Sequence, residues 1–236
     1  TGEKEMSWFV EATGKCNSAT GKPASLCFNK GLGKICCPSG IPHEVGSTGF
    51  GVAQSALVAI RLSGLDAKKT TVVIHGFGNV GNFAYKFLRD AGAKIVALAD
   101  STASIFNSEG LDDKILSKII KKDLCLKDYP AKYHIKPEEF WKTKADILVP
   151  ASVTDVINDN NKKDLKFKII VEGANIPMQE EIEKEFFQKG VLIVPDFVAN
   201  AGGVISSYAE YKGYSTKSMF RLVEEKITKT TEMVLK

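Results

Sequence analysis

The sequence predicts an α/β fold, a doubly wound and mostly parallel sheet with helices on both faces, from three observations. Five short runs, residues 71–74, 94–99, 146–149, 168–171 and 191–194, are almost entirely β-branched and apolar, the pattern of parallel strands covered on both faces. Helical segments lie between most of them, and strand, helix, strand in repetition is the signature of a parallel sheet. The first run leads directly into Gly76-x-Gly78-x-x-Gly81 and then into a helical pattern.

The elements follow in chain order. Met6, Phe9 and Val10 sit at helical spacing and predict a short amphipathic helix over 3–13. Residues 15–43, rich in Gly, Pro, Ser and Cys, predict a loop. Small and apolar residues at helical spacing predict a long helix over 48–63, with Gly64 placed to end it. Further helices are expected over 80–90, 112–121, 154–159 and 179–189. The pairs Glu138-Glu139 and Glu180-Glu181 follow Pro137 and Pro177 and read as first-turn helix charges favoured by the macrodipole. The expected organisation is an N-terminal helix and loop over 1–46, a core over 47–215, and a C-terminal helix over 216–236.

Composition narrows the function classes. The 236 residues are 44% hydrophobic and 25% charged, with 20 Gly and 8 Pro in no period, which excludes disordered and collagenous chains. The longest uncharged runs, 45–60 and 70–85, fall short of the roughly 20 apolar residues a spanning helix needs, so no membrane partner is expected. With 32 Lys and Arg against 28 Asp and Glu there is no basic stripe, and no nucleic-acid partner is expected. The cysteines, Cys16, Cys27, Cys36, Cys37 and Cys125, are odd in number and follow no secretory segment. They point to reduced structural thiols in a reducing, cytoplasmic setting; a zinc site is the alternative, poorly matched by their spacing. The chain begins at Thr1 and runs straight into a helical pattern, as though cut from something longer.

The glycine motif carries the most specific chemistry. Gly76 permits the tight turn, Gly78 lets backbone approach a pyrophosphate, and Gly81 lets the helix pack closely on the strand. The amides and dipole at the helix start would hold the anion. Asp100 ends the next strand, 19 residues after Gly81, where an acid accepts from adenosine ribose hydroxyls. The expectation is a Rossmann-like domain that binds NAD or NADP, the rival being a purely structural turn. Asp100 and the absence of Lys or Arg from 101–106 favour NAD. Two more loops leave apolar strands, 171–175 with Asn175 and 195–204 with Asn200; both suit a flat amide-bearing ring, and both also suit plain turns. His43, His75 and His134 are scattered, and His75 is expected to pack at its strand end.

These residues resemble the family of glutamate, leucine, phenylalanine and valine dehydrogenases. The motifs are Thr48-Gly49-Phe50-Gly51-Val52, Gly76-Phe77-Gly78-Asn79-Val80-Gly81, Asp146-Ile147-Leu148-Val149-Pro150-Ala151, Glu172-Gly173-Ala174-Asn175 and Asn200-Ala201-Gly202-Gly203-Val204, in that order along the chain. Ser207-Tyr208-Ala209-Glu210 is similar to the glutamate enzymes in particular, as are Thr20-Gly21-Lys22-Pro23 and the 107–112 segment. The resemblance implies that Gly76, Phe77, Gly78, Asn79, Val80 and Gly81 hold the dinucleotide phosphates, with Asp100 and Ser101 at the adenosine ribose. It implies Thr48 and Asn200 at the nicotinamide, Ala151 and Asn175 along the cofactor cleft, and Ser207 on the side-chain carboxylate of glutamate. The implied reaction is reversible oxidative deamination of L-glutamate to 2-oxoglutarate and ammonia in a homo-oligomer, a hexamer. The family's catalytic lysine and aspartate belong to a preceding domain, so this chain alone is expected to bind dinucleotide without turnover. A leucine- or phenylalanine-type enzyme and a stand-alone binding module are the alternatives. Phe50 and His75 depart from the family pattern.

Overall fold

The computed structural model describes residues 2–31 and 33–236; Thr1 and Leu32 lie outside the described residues. Helix α1 (Glu3–Thr13) leads into a two-stranded hairpin, β1 (Cys27–Lys30) with β2 (Gly33–Cys36), and then into the long helix α2 (Ser47–Leu62). Gly64, in the left-handed region at φ 68, follows its end as expected. Next come β3 (Thr71–His75), α3 (Asn79–Asp90), β4 (Lys94–Ala99), β5 (Ser104–Phe106) and α4 (Asp113–Lys121). Asp112 starts α4 by accepting from the amides of Lys114 and Ile115 at 2.8 and 3.2 Å. The chain continues through β6 (His134–Ile135), α5 (Pro137–Phe140), β7 (Ile147–Pro150), β8 (Ile169–Val171) and α6 (Glu180–Gln188). It closes with β9 (Leu192–Val194), α7 (Asp196–Ala199), α8 (Gly202–Tyr211) and α9 (Thr216–Leu235), the last capped by Ser215.

Seven strands form one sheet in the order β6-β5-β4-β3-β7-β8-β9. The five strands from β4 to β9 pair in parallel, and β5 and β6 add an antiparallel edge. After β3 the chain builds one half of the sheet and then returns to lay β7 on β3's other side. That is a topological switch point, and it opens a crevice beyond the carboxyl ends of β3 and β7.

Period-2 alternation sorts the core onto the two faces. Val72 and Ile74 of β3 pack with α2, α3 and α4 through Val52, Ala56, Leu88 and Leu116. Val73, Leu148 and Ile170 pack on the opposite face with Trp141, Ile157, Phe167 and Phe186. Each fully buried aliphatic side chain contributes roughly 1.5–3 kcal/mol. Between β3 and β4 the register shifts, pairing Val72 with Ile95 and Val73 with Ala97, so Val96 is an extra residue and packs on the same face as Ala97.

Three expectations are corrected. Residues 154–159 form turns, not a helix. Asp155 lies at φ 55, and Asn158 and Asn161 bond nearby backbone, Nδ2 to the carbonyls of Asp155 and Val156 at 3.0 and 2.8 Å, which satisfies locally what a helix would satisfy along its axis. The 15–43 segment is not all loop, since it contains the hairpin. Its cysteines are not reduced thiols: Cys16 bonds Cys37 and Cys27 bonds Cys36, leaving Cys125 free. Linear spacing hid this because the hairpin register sets Cys27 directly across from Cys36, while neighbouring side chains leave a strand on opposite sides. The pairing also takes those four cysteines away from any zinc site and removes the ground for a reducing compartment. No helix among the described residues is long and apolar enough to cross a membrane.

The hairpin region is held to the core by a buried ion pair. Lys22 Nζ bonds Glu210 Oε1 with side-chain exposures of 7% and 1%, and Glu210 Oε2 accepts from the amides of Gly21 and Ile41 at 2.8 and 2.9 Å. The two disulfides close loops of 21 and 9 residues. Each is expected to stabilise the chain by about 3 kcal/mol through the unfolded state. Urea titrations with and without reductant check this; coincident midpoints would show that the cross-links add nothing.

Candidate functional site

The site begins with the glycine turn between β3 and α3. Gly76 has φ 104 and donates its amide to Ala99 at 2.8 Å; a Cβ there would meet the Ala151 carbonyl and Ser152 nitrogen at 2.6 Å. A Cβ on Gly81 would overlap the carbonyl of Gly76. A Cβ on Gly78 would meet nothing within 4 Å. Two glycines therefore build the turn, and the third leaves open surface at the positive end of α3, a cradle that suits an anionic ligand. Asn79 is exposed beside it, while the Phe77 ring packs edge-on against Tyr85 at 5.7 Å.

Beside this turn lies a cleft of about 820 Å³ lined by Thr48, Val80, Ala151, Asn175, Asn200 and Ser207, together with His43, Ser152, Thr154 and Val204. The structure thus brings six sequence-predicted residues into one site from α2, α3, α8 and the loops after β7, β8 and β9. Gly76, Phe77, Gly78, Asn79, Gly81, Asp100 and Ser101 stand outside the lining, and Val80 joins the turn to it. Asn200 Nδ2 donates to Asn175 Oδ1 at 2.7 Å, so the two asparagines meet across loops 25 residues apart. Thr154 Oγ1 donates to the Asn175 carbonyl at 3.0 Å. The amides of Gly173 and Ala174 bond the Pro150 carbonyl at 3.0 and 2.8 Å, fixing the β8 loop to the end of β7.

Glycines set the spacing of the cleft walls. Gly49 of α2 lies so close to α3 that a Cβ would meet Phe83 Cβ at 2.6 Å, and Gly202 of α8 lies against the Ser47 carbonyl carbon at 2.9 Å by the same measure. Backbone meets backbone at both crossings, which puts Thr48 and Ser207 on the same cleft.

His75 packs as expected. It stacks on Trp141 at 4.5 Å, and its Nδ1 lies 2.9 Å from Ser152 Oγ. Burial pushes its pKa down to about 4, so the ring is neutral and steadies Ser152 without adding charge. Asp100 is tied inward: Oδ1 accepts from Thr102 N, Thr102 Oγ1 and Ala103 N at 2.7, 2.6 and 2.9 Å, and Oδ2 from Leu126 N at 2.8 Å. Partial burial raises its pKa, but those donors outweigh it and hold the carboxyl below its usual range. The Leu126 bond also brings Lys127 alongside, its amide 3.2 Å from Thr102 Oγ1.

Sequence reasoning did not place Ser152 or Thr154 at the site, named Val204 only as part of a motif, set His43 aside as a scattered histidine, and did not bring Lys127 beside Asp100. Ser152 and Thr154 reach the site on the loop after β7, His43 on the turn before α2 and Val204 on the first turn of α8, segments that only the fold brings together; Lys127 lies 27 residues from Asp100, beyond any local motif. Among the described residues the cleft lining carries amides and hydroxyls, which can bind and orient a ligand, and one titratable side chain, His43.

A parallel sheet with this switch point, glycine turn and cleft defines a Rossmann-type domain. The chain belongs to the Glutamate/Leucine/Phenylalanine/Valine dehydrogenase family, whose model matches residues 39–235. It is 37% identical over 249 aligned residues to the glutamate dehydrogenase of Aeropyrum pernix, covering 100% of this chain and 56% of that one. It is 36% identical to the NADP-specific glutamate dehydrogenase of Saccharolobus shibatae, covering 89% and 48%. In fold it matches the hetero-hexameric glutamate dehydrogenase of Thermus thermophilus in its Leu-bound form, with a TM-score of 0.82 and 23% identity over 98% of this chain and 55% of that one. The chain spans about half the length of the curated relatives it matches.

Proposed function

We propose that this chain is the NAD(P)-binding domain of a glutamate dehydrogenase, serving the reversible oxidative deamination of L-glutamate to 2-oxoglutarate and ammonia. The observation that carries the reading is the cleft that gathers Thr48, Ala151, Asn175, Asn200 and Ser207 beside an open glycine turn. When bound, the dinucleotide supplies a hydride acceptor. The amides from Gly78 to Val80 would hold its pyrophosphate, and Asp100 with Ser101 its adenosine ribose. Thr48, Asn175 and Asn200 offer the donors and acceptors that a carboxamide requires, and Ser207 offers a neutral donor to the substrate's side-chain carboxylate. Proton transfer falls to groups outside this cleft. The whole enzyme is proposed to work as a homo-oligomer, a hexamer.

Calorimetry on the purified chain tests the reading. Saturable binding of NAD or NADP is expected, with a coupled glutamate assay at background; glutamate-dependent NADH formation by these 236 residues would overturn the assignment of catalysis elsewhere. NAD is the proposed coenzyme, because the ionised Asp100 repels a 2′-phosphate. Competition should show NAD bound about tenfold more tightly, or ~1.4 kcal/mol. A preference for NADP that Lys127→Ala abolishes would reverse that choice and assign the phosphate to Lys127.

A further inference from the structure

We propose that Glu172 is a positioning residue for the nicotinamide end of the cleft: a buried carboxyl group that ties the β8 and β9 loops together so that Asn175 and Asn200 meet. The proposal rests on the reading of the cleft as a dinucleotide site, but the tie itself is testable without a ligand.

Glu172 directly follows β8 and is 1% exposed. Its amide bonds the Val194 carbonyl at 3.1 Å, and its Oε2 accepts from the Asp196 amide at 2.9 Å. Asp196 returns the connection, its Oδ2 accepting from the Ile176 amide at 2.8 Å. Asn175 therefore sits between two anchored points, 172 and 176, and Asn200 follows directly on the short helix that Asp196 begins. Ile176 has φ 46, a left-handed conformation that a β-branched residue keeps only where its surroundings enforce it. Asp196 on its amide and the Asp155 amide on its carbonyl, at 2.9 Å, enforce it here.

Glu172 Oε1 is buried and receives no donor among the described residues. The group within hydrogen-bonding reach is the Glu183 carboxyl of α6, itself an acceptor. An ionised Glu172 would leave that oxygen unsatisfied beside a like charge, which is costly in a buried site. A protonated Glu172 resolves both ends, donating Oε1–H to Glu183 while Oε2 accepts from Asp196. Burial, and then the charge of Glu183, push the Glu172 pKa up to about 9. The charged groups acting on it are Glu183 and Asp196, with Glu180 acting on Glu183; none is a cation. The protonated tie therefore persists through neutral pH and is lost as pH rises through about 9, while the stability that this raised carboxyl lends the fold is full only below the ordinary carboxylate range and declines across the span between.

Glu172→Gln preserves both bonds and removes the titration; Glu172→Leu removes the bonds. Infrared spectra at neutral pH should show a protonated-carboxyl band in the wild type that is absent from Glu172→Gln. Amide exchange at Asp196 and Ile176 should be unchanged in Glu172→Gln and at least tenfold faster in Glu172→Leu. NAD affinity should follow, near wild type in the glutamine variant and about tenfold weaker in the leucine variant. Between about pH 8 and pH 10 the wild type should lose more affinity than Glu172→Gln, because only the wild type carries the Glu172 carboxyl while Glu183 is common to both. A missing band, fast exchange in Glu172→Gln, or an equal alkaline loss in both proteins would overturn the proposal. If no variant binds a dinucleotide, the cofactor reading fails, while the band and the exchange rates still decide the tie. If the leucine variant does not fold, the glutamine variant and the wild-type pH series decide it.

Discussion

Gly78→Val is expected to fold as the wild type does and to lose dinucleotide binding by more than about a hundredfold, or ~2.7 kcal/mol. Gly78 has φ −76 and ψ −157, extended backbone with negative φ, and among the described residues nothing lies within 4 Å of its Cβ position. Valine therefore strains no neighbour and costs about 1 kcal/mol at most as a poorer helix cap. Its methyls would occupy the space where a pyrophosphate must approach the first amides of α3. Gly81→Val reverses the pattern. Its Cβ would overlap the Gly76 carbonyl, and Gly76 cannot retreat because its amide is bonded to Ala99 and its other flank abuts Ala151. Thermal unfolding by circular dichroism, paired with calorimetry, separates the two. A Gly78→Val protein that still binds NAD at wild-type affinity would place the phosphates away from this turn.

Lys22→Met is expected to cost about 3–5 kcal/mol, because it removes one partner of a buried pair and leaves the other charge uncompensated. Glu210 would keep the two backbone amides of Gly21 and Ile41 but lose the one cation paired with it among the described residues, at 1% side-chain exposure. The damage should reach the cleft, since Glu210 lies on α8 three residues after Ser207, and Ile41 lies two residues before His43. Urea unfolding measures the loss. A change below about 1 kcal/mol would mean that water reaches the pair and that it behaves like a surface bridge.

The layout of the sheet was readable because strands covered on both faces are apolar almost throughout, and 94–99 stood out as five buried apolar residues following the exposed Lys94. The antiparallel edge was not: Ser104–Phe106 and His134–Ile135 are three and two residues long, too short for periodicity to register. At the site, glycines and asparagines were legible because their roles depend on backbone, which local sequence specifies. Glu172 was hidden because an acid at the end of an apolar strand looks exposed until α6 and α7 cover it. Lys22 and Glu210, 188 residues apart, share no pattern that a chain read in one direction can reveal.

The close helix crossings at Gly49 and Gly202 also set the mechanics of the cleft. Where side chains separate two helices, a rotamer change can widen the gap; where peptide planes touch, no soft layer exists to compress or relax. The Thr48 and Ser207 walls therefore behave as a rigid gauge whose opening is cut to one thickness. Any drift in what this cleft accepts would have to arise at the rim, at side chains such as the 75% exposed Val204, because the floor has no freedom left to vary.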